Sequence, residues 1–533
     1  MRAPCFRRTQ PHPSGGEARP AGRRGAATFV VLALFVVFSS LGLGLIFLSQ
    51  VSLRSGRSVK NLTVLDILAE NGVKQEYAAL AALLETRPFP LTLDALQAEA
   101  WLSDPAANEK EIIETALGTE TPTSSSGGWG AHAWRGTSEF SIGGAESGDS
   151  HLEADFRVLI SSLGNIEGLS VTRSSRLEAA LKITAGFVPL AFFPVLLDEA
   201  AGDGAPPEPP SSERLVITPG PGLNHLARIL ETRERLLPAF AAPALEKALG
   251  VKILKPQDLT PAFLRTVLGL EVSPDPVPEG VYLVRHDSGI GGVYVQGDLR
   301  ELIAAIEEDF QVLCFRSGES EYTLKFSPRR GRTEFSGPLG GETFDSLPQP
   351  VVIVDGKIEA LGGGRPDGTG ALRLCPEEEI PSILGGVRLT IVSSGPVTIA
   401  SHLIHQGVTW ESGIPSLKES RSELVIFAGG MSGQSGAVPE GGLFIGADAP
   451  GELKIQAELA AAGAGFRLLG PAKNIDLLGT LQASSIRLGE SRLEVHYDPG
   501  PLGGEDSAAR LLRTESPVLI VTSLKPRAWR DDE

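Results

Sequence analysis

The first pattern along the chain is an unbroken apolar run. From Ala26 to Leu48 there is no charge and no proline, and 15 of these 23 residues are Phe, Val, Leu or Ile. As a helix rising 1.5 Å per residue, the run measures about 34 Å, enough to cross a hydrocarbon core of about 30 Å. Beyond it the apolar positions thin to helical spacing, with Leu62, Val64, Leu65 and Leu68 followed by Ala78, Ala79, Ala81 and Ala82. That spacing and the alanines favour continued helix until Arg87-Pro88 stops it. The pattern predicts one helix over 26–87, with its transmembrane part at 26–48.

After the helix the period changes. Residues 88–150 predict short helical pieces (Leu93–Leu102, Glu109–Leu117) and then a Gly/Ser/Thr-rich linker, Thr119 to Ser150. Trp129 and Trp134 lie in that linker and are expected to pack back onto the domain. Residues 151–345 predict a mixed α/β domain, with strands from Leu152 to Ile183 and buried extended segments from Gly186 to Leu197. Pro189 and Pro194 exclude a spanning helix there. A proline-rich hinge follows at Gly202–Ser212, then helix between Leu223 and Leu268 with Leu226, Ile229, Leu230 and Leu237 on its core face. Strands are expected near 281–284, 292–298, 312–315 and 322–326, and a short helix over Leu299–Ile306.

Residues 346–500 predict short strands joined by glycine-rich connections. Leu453-Lys-Ile-Gln-Ala-Glu-Leu459 and Leu493-Glu-Val-His-Tyr497 alternate apolar and polar residues, which marks one buried face. Such strands suit a right-handed β-solenoid, with a β-sandwich as the alternative. Residues 501–533 read as a C-terminal tail. The expected fold class is therefore α+β, mostly β outside the membrane.

Charge adds topology to this picture. The formal charge is −17, yet residues 1–25 hold six arginines and one acid, so this leader is +5 and the remainder −22. Basic residues stay on the cytoplasmic side of a membrane, which places the leader inside and the bulk of the chain outside. A body so acidic repels phosphate backbones, which argues against nucleic acid as a partner. The apolar run is too long for the 7–15-residue core of a cleaved secretory signal. Arg7-Arg8 lacks the flanking residues of a twin-arginine export signal.

Arg23-Arg24-Gly25 abuts the apolar run directly. This arrangement resembles the prepilin leader of type IV pilins and of type II secretion pseudopilins. The resemblance implies cleavage after Gly25, leaving Ala26 as the new N terminus of a long helical stalk. The fifth residue counted from Ala26 is Val30, where pilins usually carry Glu, and minor and assembly-associated components are the relatives that often lack it. Gly291–Asp298, Pro350–Gly356 and Leu389–Ile399 likewise resemble an uncharacterised β-rich domain that follows pilin-like N termini in bacterial envelope proteins. The expectation is a single-pass bacterial inner-membrane protein, with pilus or secretion-system subunits as partners; the alternatives are an ordinary signal-anchored envelope protein and a surface carbohydrate-active solenoid enzyme.

Chemistry is sparse. His402 and His405 form the closest histidine pair, but three-residue spacing on a strand turns the rings to opposite faces, so they are expected as solvent or turn residues. Cys314 and Cys375 offer one possible disulfide in an oxidising compartment, against two free buried thiols. Gly362–Gly370 lacks the Gly-Lys-Ser/Thr ending of a phosphate loop and reads as a turn. Gly430–Gly433 and Gln434–Gly436 miss the nucleophile-elbow spacing. Asp298, Asp355, Asp448 and Glu458 are the carboxylates that a hydrolytic solenoid would draw on. No cofactor is implied, and no catalytic or metal-binding residue is assigned.

Overall fold

The computed structural model describes residues 24–531 apart from 88, 119–123, 130, 149, 199–209, 220–229, 233–236, 239–240, 254–257, 287–288, 369, 412–413, 417–421, 430–440 and 498–510. The chain is mostly β, preceded by one 63-residue helix, α1 (Arg24–Thr86). At 1.5 Å per residue α1 is about 95 Å long. Its halves differ in surroundings. From Phe29 to Lys60 the side chains stand almost wholly exposed, and this half carries the apolar segment of membrane-spanning length. In the other half Leu65, Leu68, Ala69, Val73, Glu76, Leu80 and Leu84 are buried, recurring on one helical stripe.

That stripe lies on an antiparallel sheet. After β1 (Leu91–Thr92), α2 (Ala95–Ser103) and α3 (Glu109–Leu117) come β2 (Ser124–Trp129), β3 (His132–Ser147), β4 (His151–Ile166) and β5 (Arg173–Gly186). Along β4, Ala154, Phe156, Val158 and Ile160 are buried and point to the helical layer, as period-two alternation requires. Two glycines set the helix–sheet distance. A Cβ on Gly72 would come within 2.0 Å of Ser162 Oγ, and one on Gly164 within 2.4 Å of the Leu65 carbonyl. Any larger residue at either place would force the layers apart.

A connecting region follows, with β6 (Val195–Asp198), β7 (Leu215–Pro219), β8 (Leu230–Thr232), α4 (Ala242–Leu249) and α5 (Pro261–Val267). Then the chain enters a long series of strands: β9 (Gly280–His286), β10 (Gly289–Gln296), β11 (Glu301–Glu307), β12 (Phe310–Ser317), β13 (Ser320–Ser327), β14 (Arg332–Gly337) and β15 (Gly340–Phe344). It continues through β16 (Val351–Asp355), β17 (Ile358–Pro366), β18 (Leu372–Leu374), β19 (Pro381–Ile383), β20 (Arg388–Ser393), β21 (Val397–Ile399) and β22 (Ile404–His405). The last group is β23 (Thr409–Glu411), β24 (Ile414–Ser416), β25 (Glu423–Ala428), β26 (Gly442–Ile445), β27 (Glu452–Ala461), β28 (Gly465–Leu468), β29 (Asn474–Ala483), β30 (Ile486–Arg487), β31 (Arg492–Tyr497) and β32 (Val518–Asp531).

Two parallel ladders run through this series. One is β10-β16-β20-β25-β27-β29-β31-β7, with β9 antiparallel on its edge. The other is β11-β17-β21-β26-β28-β30, from which β12 to β15 extend as an antiparallel meander. The chain alternates between the ladders, contributing β10 then β11, β16 then β17, β20 then β21, and so on. Val352, Val354, Ile391, Ile426, Leu443, Ile445 and Ile455 fill the core between them. The outer face of the first ladder is covered as well: Ile353, Val392, Val425 and Phe427 pack with Leu245 and Leu249 of α4 and with Phe193. Strands buried on both faces read as continuous apolar runs, as Val351–Val354 and Leu424–Phe427 do.

Several sequence expectations change. Residues 124–147, expected as a linker, form the β2–β3 hairpin, and Trp134 is buried against Gly72 of α1 and Gly127 of β2. Residues 299–306, expected as a helix, give β11, because Leu302 and Ala304 face the core while Ile303 and Ala305 face a second apolar cluster. The span 223–268, expected as helix, holds strand β8, where Leu230 pairs with Leu196 of β6, and then two short helices; Leu226 and Ile229 lie outside the described residues. Residues 518–531, expected within a tail, form β32, which pairs with β5 on one side and β1 on the other.

Candidate functional site

The parallel register of β27, β29 and β31 assembles a polar cluster that no single segment of sequence displays. Lys454 lies opposite Asp476, Asp476 opposite Glu494, and Leu478 opposite His496. Their neighbours Ile455, Leu477, Leu493 and Val495 are core residues, so alternation turns the polar set to the outer face. Ligand-capable atoms of Asp476, Glu494 and His496 all lie within 4.8 Å of one another. His496 Nε2 is 3.7 Å from Glu494 Oε1, with the histidine side chain 7% exposed and the glutamate 26%. This Nε2 is buried and has no hydrogen-bond partner.

The cluster has a roof and a rim. Trp410, from the β23–β24 hairpin, meets the His496 ring edge-on at 5.7 Å and 77°. The Lys454 ammonium is 5.8 Å from the Trp410 ring centroid and is held by Glu379 Oε2 at 2.5 Å. Arg492 donates to Glu494 Oε2 at 2.9 Å, and Thr218 Oγ1 approaches Glu494 Oε1 at 3.5 Å. Burial raises the Asp476 carboxyl above the ordinary carboxylate range, partly offset by the adjacent His496. Burial also lowers the His496 imidazole.

The residues singled out from sequence are scattered around this place. His402 and His405 are both buried, which corrects the expectation of solvent or turn residues. The 402–405 segment runs parallel beside β27, so both rings are taken into the wall. His402 Nδ1 accepts from the Lys454 backbone N–H at 3.0 Å, and the His405 N–H donates to Gln456 Oε1 at 2.6 Å. Burial depresses the His405 imidazole to about 4.

Among the carboxylates, Asp298 accepts from the Lys357 N–H just after β10, and Asp355, the last residue of β16, accepts from Tyr294, Gln296 and Ser394. Asp448 sits on an exposed turn after β26. Glu458 lies in the middle of β27, where burial and the nearby Glu423 push its carboxyl well up. Cys314 is buried in β12 and Cys375 is half-buried after β18, each with a free thiol. Burial, with Glu321 adding, pushes the Cys314 thiol up to about 12. Gly362, Gly363 and Gly364 fall inside strand β17. Gly25 and Ala26 fall in the first turn of α1, while Gly430–Gly436 lies outside the described residues.

Sequence reasoning picked out the alternation around Glu494 and His496 but not Asp476, which is 18 residues before Glu494 on the neighbouring strand. The available signal was the aspartate at the third place of Asn474-Ile-Asp-Leu-Leu, a polar tooth between two core residues. Comparison with family profiles, with curated proteins and with solved structures gives no match.

Proposed function

We propose that this chain is a membrane-anchored, extracytoplasmic structural or interaction protein, acting as a minor pilin-like or pilus-assembly component. The observation that carries this reading is the division of α1. Its first half is apolar and bare, as a segment in lipid would be, and its second half is docked on an antiparallel sheet through Leu65, Leu68, Val73 and Leu80. One unbroken helix joins the two, so force or position at the membrane reaches the folded body directly. The +5 leader and −22 remainder support an N-in, single-pass orientation in a bacterial inner membrane, with residues 26–48 in the bilayer.

We infer further that residues 289–497 form a right-handed β-solenoid. Two parallel ladders fed alternately by the chain support this over a sandwich of antiparallel strands. The solenoid supplies an extended surface for pilus or secretion-system subunits. A second reading, an anchored envelope protein unrelated to pili, is favoured by one residue, Val30, where pilins usually carry Glu. N-terminal sequencing of the protein from native membranes separates the two. The expected new terminus is Ala26; an intact Met1, or a terminus well beyond Leu48, would overturn the pilin-like reading.

A further inference from the structure

We propose that Asp476, Glu494 and His496 form a binding site for a divalent transition-metal ion, Zn2+ by preference. The donor set is one imidazole nitrogen and two carboxylate oxygens, brought within 4.8 Å of one another by strand register. Metal–ligand bonds of about 2.0–2.2 Å around a tetrahedral ion place ligand atoms roughly 3.3–3.6 Å apart. The 3.7 Å from His496 Nε2 to Glu494 Oε1 is a few tenths of an ångström from that spacing. Mixed nitrogen and oxygen ligation suits Zn2+ better than Ca2+ or Mg2+, which take all-oxygen sets.

The second observation is the histidine itself. A buried polar atom is ordinarily paired, because leaving it unpaired forfeits its hydration without return. His496 Nε2 is buried and unpaired, and it points at the carboxylate of Glu494 rather than at solvent. A cation at that point satisfies the ring and both acids together. The surroundings hold the ligands in place: Trp410 packs against the imidazole, Arg492 engages Glu494 through Oε2, and Oε1 faces the histidine while accepting a long 3.5 Å bond from Thr218 Oγ1, which leaves it a lone pair for a cation. The nearest cation on β27, Lys454, is drawn toward Glu379. Three protein ligands leave a fourth position for water or for a side chain of a docking partner.

The test uses the full chain, purified in detergent, stripped with chelator and titrated with Zn2+ and Co2+ against a chromophoric competitor. One equivalent bound at micromolar or tighter affinity is expected, with Co2+ giving visible absorption typical of four or five ligands. His496→Ala should abolish this binding, and the near-isosteric Asp476→Asn and Glu494→Gln should each weaken it at least tenfold. His405→Gln, at a buried histidine outside the cluster, should bind as the parent does. Circular dichroism reports whether each variant is folded, and if His496→Ala is not, the two carboxylate variants decide. Wild-type binding no tighter than millimolar, or folded Asp476→Asn and Glu494→Gln chains that bind like wild type, would overturn the site.

Discussion

The antiparallel sheet under α1 and the paired parallel ladders solve burial differently. Along β4 the sheet hides one face beneath helices, so the strand alternates, with Phe156, Val158 and Ile160 inward and Arg157 outward, whereas β32 is covered on both faces. The first ladder hides both faces, one against the second ladder and one against α4 and its neighbours, so β25 is buried at every position. A one-sided sheet depends on how closely its cover approaches, whereas a two-sided ladder depends on filling both cores. The difference teaches where each region is vulnerable.

The largest expected effect comes from emptying either core. Phe427→Ala in the ladder and Phe156→Ala in the sheet should each cost about 3–5 kcal/mol, as truncating a fully buried phenylalanine does. Hydrogen exchange should lose protection in β20–β27 for the first and in β3–β5 for the second. Equal loss in both regions from either variant would erase the distinction between them.

Acid should weaken the flank of the first ladder through His405, on β22 beside β27. Its folded pKa, about 4, lies below the ordinary 6.5, so the neutral form is favoured by folding. That contribution is complete above about pH 6.5 and is lost as pH falls toward 4, up to about 3 kcal/mol. Denaturant titrations across this window should show wild type losing stability relative to His405→Gln as pH drops. Glu458 on the adjoining β27 acts in the opposite sense, which is why the comparison is between variant and parent rather than between pH values alone.

Gly164→Val or Gly72→Val tests the one-sided sheet. Pushing α1 away should cost about 1–3 kcal/mol, as overpacking does. Exchange should rise in residues 61–86 while the ladders stay protected. The smallest effect belongs to Glu76, buried under α1, where it accepts from Ser125 and Ser138. Burial raises its carboxyl, with the Ser138 bond opposing. A raised acid pKa stabilises below the unfolded value and is lost as pH climbs through the folded one. Glu76→Gln should therefore melt higher than wild type at pH 7, by a few degrees at most, and the difference should shrink below pH 5.

The parts of this fold legible in one sequence are those with an internal period. The apolar run at 26–48, the stripe from Leu65 to Leu84 and the alternation at 453–459 all announce their environment locally. The hairpin at 124–147 did not, because Ser, Gly and Thr are loop-formers by composition; here they are small so that α1 can lie close. β11 was misread because Leu302-Ile-Ala-Ala-Ile306 is buried on both faces, and a short continuous apolar run has no period to separate strand from helix. The Asp476–Glu494–His496 cluster was hidden for another reason. It depends on which strand pairs with which, and in what register, and these are properties of the ladder rather than of either segment.

The placement of β32 has a consequence for biogenesis. This strand fills the place between β1 and β5, with Leu519 and Val521 in the core beneath α1 and Val518 and Ile520 in the cluster that covers the ladder. It leaves the ribosome after every strand of both ladders. The sheet under α1 therefore waits, with the edge of β5 unpaired, until the strands of both ladders have been made. Closing the sheet under α1 thus couples the first and the last described segments of the chain in one late folding step.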